Sequence, residues 1–189
     1  MPLVSPGEAV RDLAQTCEIV RRMWTEDAPF DFGGPSLRLK GAMCEPKPVQ
    51  RPHPPIMIGG SGDRMLRVVA EHADIWNYPG PPSPEFRQRD QVLKDHCAAI
   101  GRDSSEITRS MQTIVRCDDP DAPAATRALL LEMVDAGVTH LVLAAILGSR
   151  SLRWLADEII EPVLAETQPA SGPAGSAATD DSSAAALTS

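Results

Sequence analysis

The clearest chemical signal in this sequence of 189 residues is a short glycine-rich segment made of Gly59, Gly60, Ser61 and Gly62. It follows the apolar run at residues 56–58 and precedes a helical pattern that begins near Asp63. Glycine lets the backbone adopt positive φ and approach a ligand closely, and a helix N-terminus presents free N–H groups to a phosphate. The segment alone leaves two interpretations open, a phosphate-binding turn and a tight turn that is rich in glycine for steric reasons.

The other residues with chemically active side chains are scattered. The sequence contains four histidines, His53, His72, His96 and His140. None of them lies in a motif with a second candidate base. No general base is therefore assigned, and catalytic residues stay unknown. The four cysteines show no C-x-x-C spacing, and the acidic turn at residues 118–121 fits a solvated loop and helix cap. No metal site and no disulfide framework are predicted.

The elements that position the glycine segment alternate between helices and strands. A capping box at residues 5–8 opens a helix that ends near Trp24, and residues 28–48 form a hairpin-like excursion. Short apolar strands are predicted at residues 55–58, 73–77, 109–116 and 139–147, with helices between them. This alternation predicts an α/β fold with a parallel sheet covered by helices. Half of a (β/α)8 barrel and an open doubly wound sheet both satisfy it, although the lack of a GxGxxG motif weakens the dinucleotide-binding version of the second.

Composition and charge exclude several classes of partner. The formal net charge of -8 argues against nucleic acid and anionic membranes as partners. No apolar run reaches the ~18 residues of a membrane span, and residues 1–7 do not resemble a signal peptide. A cytoplasmic location is therefore expected. Residues 167–189 are rich in Ala, Ser, Gly and Pro and are predicted to be a disordered tail, which leaves residues 1–166 as the folded domain.

A longer series of motifs surrounds the glycine segment. The proline-rich stretch at residues 44–52 leads into residues 54–60, and the strand Ala-Asp-Ile-Trp-Asn follows at residues 73–77. Further parts of the series lie at residues 96–103 and 136–143. The series resembles the luciferase-like monooxygenase superfamily, which includes F420-dependent oxidoreductases of similar fold. The resemblance extends over nearly all of the predicted folded domain.

This resemblance implies a TIM-type (β/α)8 barrel about twice as long as the folded domain. The chain would supply a partial barrel, its C-terminal half with strands five to eight, and the first four strands would be absent. The residues implied to bind the cofactor are those of the glycine segment, for its phosphate, and Trp76 and Asn77 at the rim of the cavity. The usual catalytic histidine or acid would depend on the missing strands.

The function implied is part of an F420- or FMN-dependent oxidoreductase or monooxygenase that acts on a small molecule. F420 is favoured because the proline-rich approach at residues 45–52 and Trp76 resemble that branch, with FMN as the alternative cofactor. The alternative function is a catalytically inactive, truncated remnant or a partner-binding subunit. Half a barrel has two exposed strand edges. We therefore expect a homo-oligomer or a separate N-terminal half-barrel chain as partner, and marginal stability as a monomer.

Overall fold

The computed structural model describes residues 4–167 of the chain. The predicted disordered tail lies outside the described residues except for Thr167, which ends the last helix. None of the helices in the described range is long and apolar enough to cross a membrane.

An N-terminal helix and a hairpin precede the main sheet. Helix α1 (Pro6–Thr25) begins with the predicted capping box, in which the Glu8 N–H donates to Ser5 Oγ and the Ser5 N–H donates to the Glu8 carboxylate. Strands β1 (Phe30–Gly33) and β2 (Arg38–Ala42) pair antiparallel, as the hairpin-like excursion predicted. Gln15 Oε1 accepts hydrogen bonds from the N–H groups of the hairpin residues Ser36 and Leu37. The Gln15 side chain thereby fixes the hairpin against α1.

The central part of the chain alternates strands and helices as predicted. In order these elements are β3 (Met57–Gly59), α2 (Asp63–His72), β4 (Ile75–Tyr78), α3 (Pro84–Ala99), a 3₁₀ turn (Ser104–Glu106), β5 (Thr108–Arg116), α4 (Ala122–Asp135) and β6 (His140–Ile146). The chain then enters one irregular helix instead of the single regular helix that the sequence predicts. This helix consists of α5 (Leu152–Leu155), a π-helical turn (Ala156–Ile160) and α6 (Glu161–Thr167).

Strands β3, β4, β5 and β6 form one parallel sheet in chain order. The crossover between neighbouring parallel strands is right-handed in nearly all proteins. When each new strand is added on the same side of the previous one, right-handed crossovers therefore place all the helices on one face of the sheet. A doubly wound sheet requires a reversal of strand order so that helices cover both faces. The consecutive order therefore decides against the doubly wound alternative left open by the sequence.

The two faces of the sheet differ in burial within residues 4–167. On the helix-covered face Ile58, Trp76, Met111 and Val115 are at most 4% exposed. On the opposite face, here called the open face, Met57, Ile114, Val142 and Ile146 are between 36% and 64% exposed. The sequence predicted a covered sheet, and in the described part of the chain only one face is covered. The apolar residues of the open face explain why parts of the strands are continuous apolar runs in the sequence, such as residues 141–146 of β6.

Polar side chains close the amino-terminal end of the sheet. Asp74, which the sequence places at a strand entry, accepts a hydrogen bond of 2.7 Å from the Ile56 N–H. The Arg102 guanidinium donates to the carbonyl oxygens of Ala70 and Ala73 at 2.8 and 2.9 Å. The Arg102 contacts satisfy backbone carbonyls at the end of α2 and before β4, and the Asp74 contact satisfies the Ile56 N–H before β3.

Candidate functional site

The glycine-rich segment forms the turn from β3 into α2, at the carboxyl-terminal end of the sheet. Gly60 has φ +119°, a conformation open to glycine and rarely to other residues. A Cβ atom built on Gly60 would also lie 3.1 Å from Met65 Cγ. Gly60 is thus required by backbone conformation and by space. At Gly62, in contrast, a Cβ atom would meet nothing within 4 Å, so no steric need accounts for that glycine.

The N-terminus of α2 is open toward solvent at this turn. Gly62 is its N-cap residue and offers no side-chain hydrogen bond, whereas the N-caps of α1 and α3 are Ser5 and Ser83, whose hydroxyls accept backbone N–H groups. The first N–H groups of a helix lack intrahelical partners and carry the positive end of the helix dipole. The turn and the beginning of α1 border a cavity of about 420 Å³ that includes Ser61. This arrangement suits an anionic group.

Strand β4 holds the turn in place. The Trp76 indole Nε1–H donates to the Gly60 carbonyl at 2.7 Å, and the Gly60 N–H donates to the Asn77 carbonyl at 3.2 Å. Trp76 is fully buried on the helix-covered face, where its ring stacks on Phe86 with 5.7 Å between centroids. The structure therefore places Trp76 behind the turn and not at the rim of a cavity. Its contact with the turn is a positioning contact.

Asn77 lies on the open face and belongs to a row of polar side chains. Its Nδ2 donates to Ser110 Oγ at 3.1 Å, and Ser110 Oγ lies 2.9 Å from His140 Nδ1 in a second hydrogen bond. The strand register places Gly59, Asn77, Ser110 and His140 side by side across all four strands. Ser110 is 1% exposed, so the row satisfies a buried hydroxyl and orients an imidazole toward the open face.

Ser110 and His140 are the members of this row that sequence reasoning missed. No candidate base neighbours His140 in the sequence, so no local pattern gives it a role. The link is made by the strand register, which no local motif reports. The only signal in the sequence is the position of a polar residue at the start of each of two strands.

The remaining reactive side chains have structural surroundings. Burial raises the pKa of the Cys17 and Cys97 thiols, which belong to the hydrophobic core. Burial also lowers the pKa of His72, at the end of α2. Within residues 4–167, no three His, Cys, Asp or Glu side chains are grouped so that they could hold a metal ion.

Comparison with known proteins identifies the fold and the family. The family model described as luciferase-like monooxygenase matches residues 4–185, almost the whole chain. The chain belongs to this family. The family resemblance stated from the sequence motifs is confirmed.

Solved structures of similar fold include two proteins named as F420-dependent and one that contains modified FMN. An F420-dependent secondary alcohol dehydrogenase in complex with an F420-acetone adduct is 14% identical, with a TM-score of 0.70 over 89% of this chain. The coenzyme F420-dependent tetrahydromethanopterin reductase from Methanopyrus kandleri is 16% identical, with a TM-score of 0.65 over 86%. A riboflavin lyase with modified FMN and substrate riboflavin is 14% identical, with a TM-score of 0.70 over 88%.

This luciferase-like chain is shorter than its structural neighbours. It spans 64%, 65% and 59% of the lengths of those three chains. At such identities the likeness concerns the fold, a parallel sheet with helices.

Proposed function

We propose that this chain forms the cofactor-phosphate side of a luciferase-like oxidoreductase that acts on a small molecule. The observation that carries the proposal is the turn at residues 59–62, where a glycine with positive φ leads into a helix without a side-chain cap. Ser61 and the first N–H groups of α2 would hold the phosphate, and Trp76 would keep the Gly60 carbonyl turned away from it. Backbone N–H groups at a helix N-terminus are a common phosphate site.

The cofactor proposed is F420, with FMN as the alternative. A flavin or deazaflavin supplies hydride transfer when it is bound, and the protein supplies position and electrostatics. Asn77 is the predicted site residue on the open face beside Gly59, so it would contact the part of the cofactor that extends from the turn over the sheet. F420 is favoured by the proline-rich approach at residues 45–52 and by neighbours that are named as F420-dependent.

We further propose that the sheet is a partial TIM-type barrel, equivalent to strands five to eight. Its consecutive strand order and the helices on a single face are the arrangement of a barrel wall. The exposed apolar side chains of the open face, such as Ile114 and Ile146, would then be interior positions. A second copy or a separate half-barrel chain would supply the opposing strands, and a cytoplasmic location fits such an enzyme.

The test is a tryptophan-fluorescence titration of the full chain with F420 and, separately, with FMN. Trp76 contacts the turn directly, so phosphate binding is expected to change the emission. We expect saturable binding of one cofactor that is lost in Gly60→Val. The matched control is Gly137→Val, which introduces the same side chain at another glycine of positive φ, +95°, between α4 and β6. Cofactor binding should survive in the control.

Two results would contradict the proposal. Failure of the folded chain to bind either cofactor would favour the alternative of an inactive remnant or partner-binding subunit. Equal loss of binding in both glycine variants would show that general destabilisation, and not the turn, governs the affinity.

A further inference from the structure

Two arginines from different helices converge on one point beside the glycine turn. Gly7 lies in the first turn of α1, and a Cβ atom built on it would lie 3.0 Å from Arg64 Nη1 and 3.9 Å from Arg11 Nη1. Both distances start from the same point, so the two cationic nitrogens are no more than about 7 Å apart. Like charges at this separation repel one another, and an anion between them would offset that repulsion.

These guanidinium groups have no ionic partner in the described part of the chain. Arg11, Arg64 and Arg67 form no salt bridge or side-chain hydrogen bond there, although all three are exposed. Glu8, in the first turn of α1, accepts two hydrogen bonds from Ser5. Those bonds, and to a smaller extent the charge of Arg11, lower the pKa of Glu8.

Asp63, at the start of α2, is also close to a basic group. The Asp63 carboxylate lies 3.5 Å from His96 Nε2, between the start of α2 and the end of α3. Arg11, Arg64 and Arg67 are therefore three neighbouring arginines without a salt bridge within residues 4–167, in a chain whose formal net charge is -8.

The arginines line a groove that reaches the glycine turn. A cavity of about 350 Å³ between α1 and α2 is bordered by Arg11, Arg64 and Arg67. The cavity of about 420 Å³ at the turn shares Gly7, Val10 and Arg64 with it, so the two lie side by side. Arg64 and Arg67 are three residues apart on one helix and project from the same face.

We propose that this groove, here called the arginine groove, binds a multiply charged anion, a ligand with at least two phosphate or carboxylate groups. One anionic group bridges Arg11 and Arg64 beside Gly7, where the absence of a side chain lets the Arg64 guanidinium approach α1. A second group lies toward Arg67. Guanidinium groups bind phosphate and carboxylate oxygens through paired N–H donors, so the binding is both electrostatic and directional.

The probe is inorganic pyrophosphate, titrated into the full chain by calorimetry and by thermal denaturation. We expect saturable binding that is tighter than that of inorganic phosphate and that weakens at high salt. In the double variant Arg11→Gln/Arg64→Gln the dissociation constant should rise at least tenfold. The matched control is Arg87→Gln/Arg153→Gln, which removes two exposed arginines elsewhere and should bind as the unmodified chain does.

A second variant places the anion within the chain itself. Gly7→Asp puts a carboxylate where the two guanidinium groups converge, in the first turn of a helix where an acid is favourable. We expect a higher midpoint of thermal denaturation without ligand and loss of the further increase on adding pyrophosphate. Gly7→Asn, of the same size but uncharged, should not raise the midpoint.

Several results would overturn the proposal. They are absence of saturable pyrophosphate binding by the folded chain, unchanged affinity in the double variant, and equal loss in the control. None of these depends on the proposed cofactor. Pyrophosphate binding to the arginine groove is measured without F420 or FMN, and a chain that binds neither cofactor can still bind pyrophosphate.

Discussion

Arginines occur at both ends of the parallel sheet, and they differ in what they contact. At the amino-terminal end, Arg109 donates to the Asp90 carboxylate at 2.8 Å and to the carbonyls of Ile107, at 2.6 Å, and Ser104. At the carboxyl-terminal end, Arg64 and Arg11 both lie close to Gly7, and within residues 4–167 neither forms a salt bridge. The first arrangement uses a guanidinium to close the structure, and the second leaves one free to bind. We therefore call the amino-terminal end of the sheet the closed end, and the carboxyl-terminal end, where we propose that anions bind, the proposed binding end.

The largest effect is expected from breaking the closed end. Arg109→Gln leaves Asp90, whose side chain is 16% exposed, with Lys94 as its remaining partner. Loss of a partly buried ion pair and of two carbonyl contacts should lower the free energy of unfolding by about 2–3 kcal/mol. Urea denaturation measures this change.

Arg64→Gln is the corresponding variant at the carboxyl-terminal end of the sheet. This variant should unfold within about 0.5 kcal/mol of the unmodified chain, because no internal contact is lost. An equal decrease in both variants would contradict the division between the two ends.

A smaller effect on the free energy of unfolding is expected from the contact between Trp76 and the glycine turn. Trp76→Phe removes the indole N–H that donates to the Gly60 carbonyl while keeping an aromatic ring against Phe86. The lost hydrogen bond and the smaller ring should cost about 1–2 kcal/mol in unfolding free energy. Cofactor affinity should fall as well, which a fluorescence or absorbance titration detects. Unchanged affinity would show that the turn keeps its conformation without the indole.

The polar row across the open face should contribute less to the free energy of unfolding than the Trp76 contact does. Ser110→Ala removes the hydroxyl that joins Asn77 to His140 and should lower the unfolding free energy by about 1 kcal/mol. The His140 ring resonances in an NMR spectrum should shift, because their hydrogen-bond partner is gone. Ser105→Ala, at an exposed serine, is the control and should leave both quantities unchanged.

The smallest expected effect is the pH dependence of stability that arises from His72 at the amino-terminal end of the sheet. Burial lowers the pKa of His72 in the folded state below its ordinary value of 6.5. The unfolded chain therefore binds a proton first, and stability is complete above pH 6.5 and declines as the pH falls toward the folded pKa. Urea midpoints measured from about pH 7.5 to about pH 5.5 should fall, and those of His72→Gln should fall less. Identical pH profiles would contradict this assignment.

Local signals in the sequence predicted most of the fold. The helix expected to begin near Asp63 does so, and the capping box at Ser5 begins α1 as expected. Such features depend on contacts between residues three or four positions apart. The π-helical turn at Ala156–Ile160 was not predicted, since it inserts one residue per turn without a distinctive sequence.

The site could be predicted only in part. The glycine turn lies between a strand and a helix as expected, but Trp76 and Asn77 are consecutive in a strand and must face opposite sides. The sequence alone does not show which of these two side chains points toward the helices. The row from Asn77 to His140 depends on the pairing between strands. Neighbouring members of the row are about 30 positions apart in the chain, so no local sequence pattern indicates that they meet.

The consecutive order of the strands also determines how the sheet can assemble. Ile58 pairs with Trp76, Trp76 with Arg109, and Met111 with Leu141, so each new strand docks on the one made just before it. The loops closed at each step are short compared with the chain, which keeps their entropic cost small. The sheet can therefore grow from β3 to β6 as the chain emerges from the ribosome, without waiting for its last residues.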